Sequence, residues 1–195
     1  MSRSEARKWK DALANVLQAP EFLVPLRDAS LQARLEDWTK ALTGAAVQAS
    51  TAVGWTASAK GYKSKRLPQA RNEYLSLDVM AFPQGDCRWC FPKAVMELEN
   101  SQDDDRIAYS LWKVLCVSAD LRIVFCYRKE PSLGPELISF LRNEVVAAMT
   151  IEERTLLTGE TFVVIGGRAE AETFPYGFFR WWVLEKNLGE LQLLQ

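Results

Sequence analysis

What most narrows the fold is the alternation of short β-rich runs with amphipathic helical stretches across the second half of the chain. Leu121–Arg128 and Thr161–Gly167 are apolar, β-branched and aromatic runs of strand length, and Gly134–Met149 between them spaces its apolar residues for a helix. Such alternation builds a sheet covered by helices, not a sandwich or a bundle. The expected class is α/β, a mixed central sheet flanked by helices. At 195 residues the chain suits one domain over 1–195 with a helical segment over 1–43. There Trp9, Leu13, Val16 and Leu17 share one helical face. Leu31, Leu35, Trp38 and Leu42 share another, on a helix that Ser30 caps. Residues 44–59 are small and apolar and fit either a strand or a short helix. A final strand is expected over the aromatic run Phe174–Leu184.

The chain contains no histidine. Ser-His-Asp and Cys-His catalysis, His-ligated zinc and imidazole bases are therefore excluded within it, leaving acids, amines and thiols. A net charge of -1 provides no global drive toward a polyanion, so any nucleic-acid contact must come from a local basic patch. No leader pattern opens the chain and no eighteen consecutive residues are apolar, so the expectation is a cytoplasmic protein without a membrane partner. Cys116 and Cys126 fall in a helix and a strand and read as buried thiols. Cys87 and Cys90 form half of a zinc motif whose other half is missing, and read as reduced surface thiols.

Against that background three carboxylates stand out. Glu73–Phe82 and Ala94–Asn100 read as strands of a hairpin centred on Gly85-Asp86-Cys87, which sets Asp78 opposite Glu97. The period of two puts Glu99 on the same face, with Glu73 on the other and Glu36 approaching from the second helix. At ~5 Å and an effective dielectric of ~20, each carboxylate pair repels by about 3 kcal/mol, which calls for a cation or raised pKa values. Plain alternation on a solvent-facing strand is the competing explanation.

Two neighbouring segments offer positive charge. Lys60–Arg71 holds Lys60, Lys63, Lys65, Arg66 and Arg71 with no acid, and Gly61 and Pro68 make it a loop suited to phosphates or simply to solvent. Beyond the hairpin, Asp103, Asp104 and Asp105 start a helix as caps. That helix buries Ile107, Leu111, Val114 and Leu115 and carries Arg106, Tyr109, Ser110 and Lys113 as a polar stripe facing back toward the acids. The aromatic residues of the last strand can stack bases, pack in the core or form a dimer contact.

The order helix, Asp78 strand, Glu97-Leu98-Glu99 strand, helix with Lys113, strand resembles the PD-(D/E)XK nuclease superfamily over roughly residues 70–130. The resemblance implies a restriction-endonuclease-like αβββαβ core. It also implies a magnesium or manganese ion held by Asp78, Glu97 and the Leu98 carbonyl, and phosphodiester cleavage with Asp78, Glu97, Glu99 and Lys113 as catalytic residues. Glu99 stands where the family usually has lysine, and Lys113 on the following helix is the substitute. The implied partner is DNA rather than RNA, with a homodimer possible through the Trp181-Trp182 strand. Two other readings stay open: an inactive nuclease-like domain that binds nucleic acid or protein, and an interaction protein with no metal.

Overall fold

The computed structural model describes residues 4–67, 73–86 and 88–194. Three helices come first: α1 (Glu5–Gln18), α2 (Pro20–Leu31) and α3 (Leu35–Ala52). Ser4 caps α1 by accepting the Arg7 N–H, and Trp9, Leu13 and Leu17 line its buried face. Ser30 is not the cap expected of it. It lies in the last turn of α2, which starts at Pro20, where a proline suits a first turn whose N–H groups have no helical partner. The stretch 44–59 divides: α3 runs on to Ala52, beyond the boundary expected at 43, and strand β1 (Trp55–Ala59) follows.

β2 (Val79–Pro83), β3 (Ala94–Leu98), α4 (Asp104–Leu115) and β4 (Leu121–Arg128) come next. They are followed by α5 (Gly134–Leu141), α6 (Ile151–Leu156), β5 (Glu160–Gly167), β6 (Phe179–Glu185) and β7 (Glu190–Leu193). The helix expected over Gly134–Met149 opens into a π turn at Arg142–Val146. Neither α6 nor β7 was legible in the apolar pattern. The strand expected from Phe174 starts at Phe179, because Phe174 and Phe178 pack edge-on or tilted against Trp38 at 5.8 and 5.2 Å. That aromatic cluster is core and not a stacking surface for bases.

All seven strands form one sheet in sequential order. β1–β2–β3 and β5–β6–β7 are antiparallel, and β3–β4–β5 are parallel, so the sheet is mixed as expected. α3, β1, β2, β3, α4 and β4 follow in the order αβββαβ. On one face Val79, Ala81, Met96, Leu98, Ile123 and Phe125 pack against α1–α3. On the other, Met80, Phe82, Val95, Val124 and Cys126 pack against α4 and α5. Both faces of the central strands are therefore buried, as parallel strands between two helical layers require.

Cys126 is buried as expected, but Cys116 is exposed, since it ends the outer stripe of α4. Cys90 is buried instead of lying at the surface, and Cys87 lies outside the described residues. Among the described residues no helix is long and apolar enough to cross a membrane.

Candidate functional site

The strand expected over Glu73–Phe82 begins only at Val79. Leu75 and Ser76 both adopt left-handed backbone, with φ of 55° and 54°, which bends the chain into a turn just before Asp78. Asp78 nevertheless keeps the predicted alignment. The pairs Val79–Met96 and Met80–Val95 extend by one step to Asp78 opposite Glu97. The Leu98 N–H closes the gap by donating to Asp78 Oδ2 at 2.7 Å. The main chain of Leu98 thus faces Asp78, where its carbonyl can join the carboxylate as an oxygen ligand.

Glu97 lies on the α4 side of the sheet, between Met96 and Leu98, which face α1–α3, and Glu99 follows on the same side, while Asp78 stands at the sheet end just before β2. Lys113, two turns along α4 from Arg106, reaches down to Glu97: its Nζ lies 2.7 Å from Glu97 Oε2 and donates to the Ser76 carbonyl at 2.8 Å. The left-handed turn is what aims that carbonyl at the ammonium. Arg106 approaches Glu99 Oε2 at 3.8 Å, while Glu99 Oε1 accepts the Ser101 N–H at 2.7 Å. Two members of the polar stripe thus meet the acids. Ser110 is buried and Tyr109 turns outward. Asp103 caps α4 by accepting the N–H groups of Asp105 and Arg106, and Asp104 pairs with Arg128.

Glu97 is buried, and its Oε1 has no hydrogen-bond partner. Burial pushes its carboxyl up to about 7, offset in part by the bond to Lys113 and reinforced by the charge of Asp78. Asp78 is also raised, first by burial and then by Glu73 and Glu99, against the lowering effect of the Leu98 N–H and of Lys113. Glu73 was expected on the opposite side of a strand. Because the segment is a turn, it instead comes close enough to act on Asp78.

Asp78 borders two cavities. One is an open cleft of about 510 Å³ lined by Ser76, Glu97, Glu99, Arg106 and Lys113. The other, about 240 Å³, is lined by Glu36, Lys40, Lys60, Glu73 and Thr39. Glu36 therefore does approach Asp78, and the basic loop reaches the site through Lys60. Lys63 and Lys65 are exposed, whereas Arg66 is held by a 3.4 Å bond to Thr56 Oγ1 on β1. Arg71 lies outside the described residues. Lys40 was missed by the sequence reading, although its spacing from Glu36, one helical turn earlier, was a usable signal.

Among the described residues no group of three or more histidine, cysteine, aspartate or glutamate side chains converges on one point. Asp78 and Glu97 are a pair of carboxylates with an ammonium beside them, open to the cleft. Such a site can neutralise a phosphate with Lys113 and offer two oxygens to a hard cation. Magnesium keeps several waters and commonly takes only one or two protein carboxylates plus substrate phosphate oxygens, so this donor set, with the unpartnered Glu97 Oε1, fits it. Comparison with family models, curated proteins and solved structures finds no match for this chain.

Proposed function

We propose that the chain is a divalent-metal-dependent phosphodiesterase acting on DNA, in the manner its resemblance to the PD-(D/E)XK nucleases implies. One observation carries the reading: the Lys113 ammonium meets the Glu97 carboxylate at 2.7 Å, supplying from α4 the amine that position 99 lacks. The αβββαβ order around Asp78 and Glu97 supports it. Asp78 and Glu97, with the Leu98 carbonyl, would hold magnesium or manganese, which when bound polarises a phosphate and acidifies a coordinated water. Lys113 counters the negative charge that develops on the phosphoryl oxygens. The Leu98 N–H fixes the orientation of Asp78, and Glu99, anchored by Ser101 and Arg106, sets the outer wall of the cleft. Lys60, Lys63 and Lys65 draw the backbone toward the second cavity. The reading implies a cytoplasmic protein that meets DNA and, for cuts in both strands, works as two copies.

A second reading, a nuclease-like domain that binds nucleic acid or a partner protein without cutting, is favoured by the same ion pair, since Lys113 already neutralises Glu97. Calorimetric titration with manganese and with magnesium, with and without a short oligonucleotide, separates the two. Saturable binding that is lost in Glu97→Gln, together with metal-dependent cleavage, supports the enzyme. Oligonucleotide retention with no metal uptake and no cleavage overturns it in favour of the second reading.

A further inference from the structure

We propose that the substrate strand is unpaired, and that Tyr109 and Trp112 on the outer face of α4 are the platform on which its bases stack. The proposal rests on the nuclease reading for the position of the cleft, but its own evidence lies in a different surface. α4 buries Ile107, Leu111 and Val114 and so turns Tyr109, Trp112 and Cys116 outward. Tyr109 and Trp112 are 59% and 55% exposed, and their rings stack at 5.9 Å between centroids with 23° between planes. Two aromatic rings pre-stacked and more than half exposed offer π surface to solvent, and every nucleobase has a π-face to set against it.

The platform is joined to the cleft. Lys113, whose Nζ is paired with Glu97, also sits 5.8 Å from the centre of the Tyr109 ring. One ammonium therefore lies between the stacking surface and the acidic pair, and Arg106, one turn before Tyr109, stands 3.8 Å from Glu99 Oε2. In the other direction Cys116 leads into an apolar groove of about 610 Å³, lined also by Tyr74, Leu75, Phe82, Trp89 and Phe91. Trp89 adopts left-handed backbone with φ of 61°, a costly state for so bulky a residue, and is held there by its N–H donating to the Arg66 carbonyl at 3.1 Å. Its ring is thereby kept 61% exposed at the groove mouth, tied to the loop that carries Lys63 and Lys65.

Exposed aromatic rings near a loop that presents Lys63 and Lys65 to solvent suit a polyanion whose bases are available for stacking. A duplex keeps its base faces inside the stack and cannot use these rings. A purely apolar protein partner would gain nothing from the cations of that loop.

The test is fluorescence-monitored binding, in chelator, of a short single-stranded oligonucleotide and of the blunt duplex of the same sequence. It is run on the unaltered protein and on Tyr109→Ala, Trp112→Ala and Trp112→Phe. The expected result is preferential binding of the single strand, weakened about tenfold in each alanine variant and retained in Trp112→Phe. Equal binding of strand and duplex, unchanged in the variants, overturns the inference while leaving metal uptake and cleavage at Glu97 untouched. Absence of binding with self-association that Trp112→Ala abolishes overturns it as well, and makes the patch a contact between copies. Because chelator is present, failure of the metal site cannot be mistaken for failure of the platform.

Discussion

Glu97→Gln should change the shape of the stability profile with pH and not simply its height. In the folded chain burial carries the Glu97 carboxyl from 4.5 to about 7. Between those values the folded state holds a proton that the unfolded state has released, so stability declines as pH rises through this window and levels off on either side. At 1.36 kcal/mol per pH unit the loss amounts to about 3 kcal/mol, already net of the help Lys113 gives. Glutamine mimics the protonated carboxyl. The variant should therefore match the unaltered protein near pH 4.5 and exceed it by up to about 3 kcal/mol above pH 8. In a chain of this size that corresponds to a rise of about 6–12 °C in Tm. Urea unfolding in chelator at a series of pH values measures it, and the difference between the two profiles cancels the surface carboxylates they share. A smaller slope of the same sign should persist in the variant, because Asp78 is raised too. Parallel profiles would refute the reasoning and mean that Glu97 is solvated or fully compensated by Lys113.

Asp78→Asn should abolish metal-dependent cleavage without loss of stability: the amide oxygen can still accept the Leu98 N–H, and one charge leaves the cluster. A large drop in Tm would instead make Asp78 a structural residue. Lys113→Met should leave Glu97 unpaired and drive its carboxyl further up, so the loss is held to about 1–2 kcal/mol at neutral pH by proton uptake, below the 3–5 of a buried pair that cannot neutralise; urea unfolding and a cleavage assay report both effects. Neutralising Lys60, Lys63, Lys65 and Arg66 together should weaken retention of a single strand and flatten its salt dependence by up to about 3 in log–log slope. Unchanged binding would demote the loop to solvated surface. Gly159→Ala should destabilise by at least about 2 kcal/mol, because Gly159 has φ of 64° and a Cβ there would stand 2.0 Å from the Asp120 carbonyl oxygen; thermal unfolding checks it.

The alignment of Asp78 with Glu97, and of Glu99 on the same face, could be read from residue order because strand period and hairpin symmetry are local rules. So could α4, its Asp103 cap and the strand β4, where apolar spacing and terminal charge agree. The failures are equally physical. Glu73–Leu77 carries strand-like side chains, yet its left-handed turn is imposed by what surrounds it: Tyr74 and Leu77 are buried in the core on the α4 side, and Lys113 bonds to the Ser76 carbonyl. Phe174 and Phe178 have the composition of a strand but are claimed by Trp38, some 140 residues earlier in the chain. Residue order alone thus determined which acids and cations lie near one another and which strand face holds Glu97 and Glu99. Only the tertiary structure decided that Glu97 is paired with Lys113, that Asp78 faces two cavities, and that Tyr109 and Trp112 are left outside, because burial and ion pairing depend on distances through space between distant segments, which local periodicity does not encode.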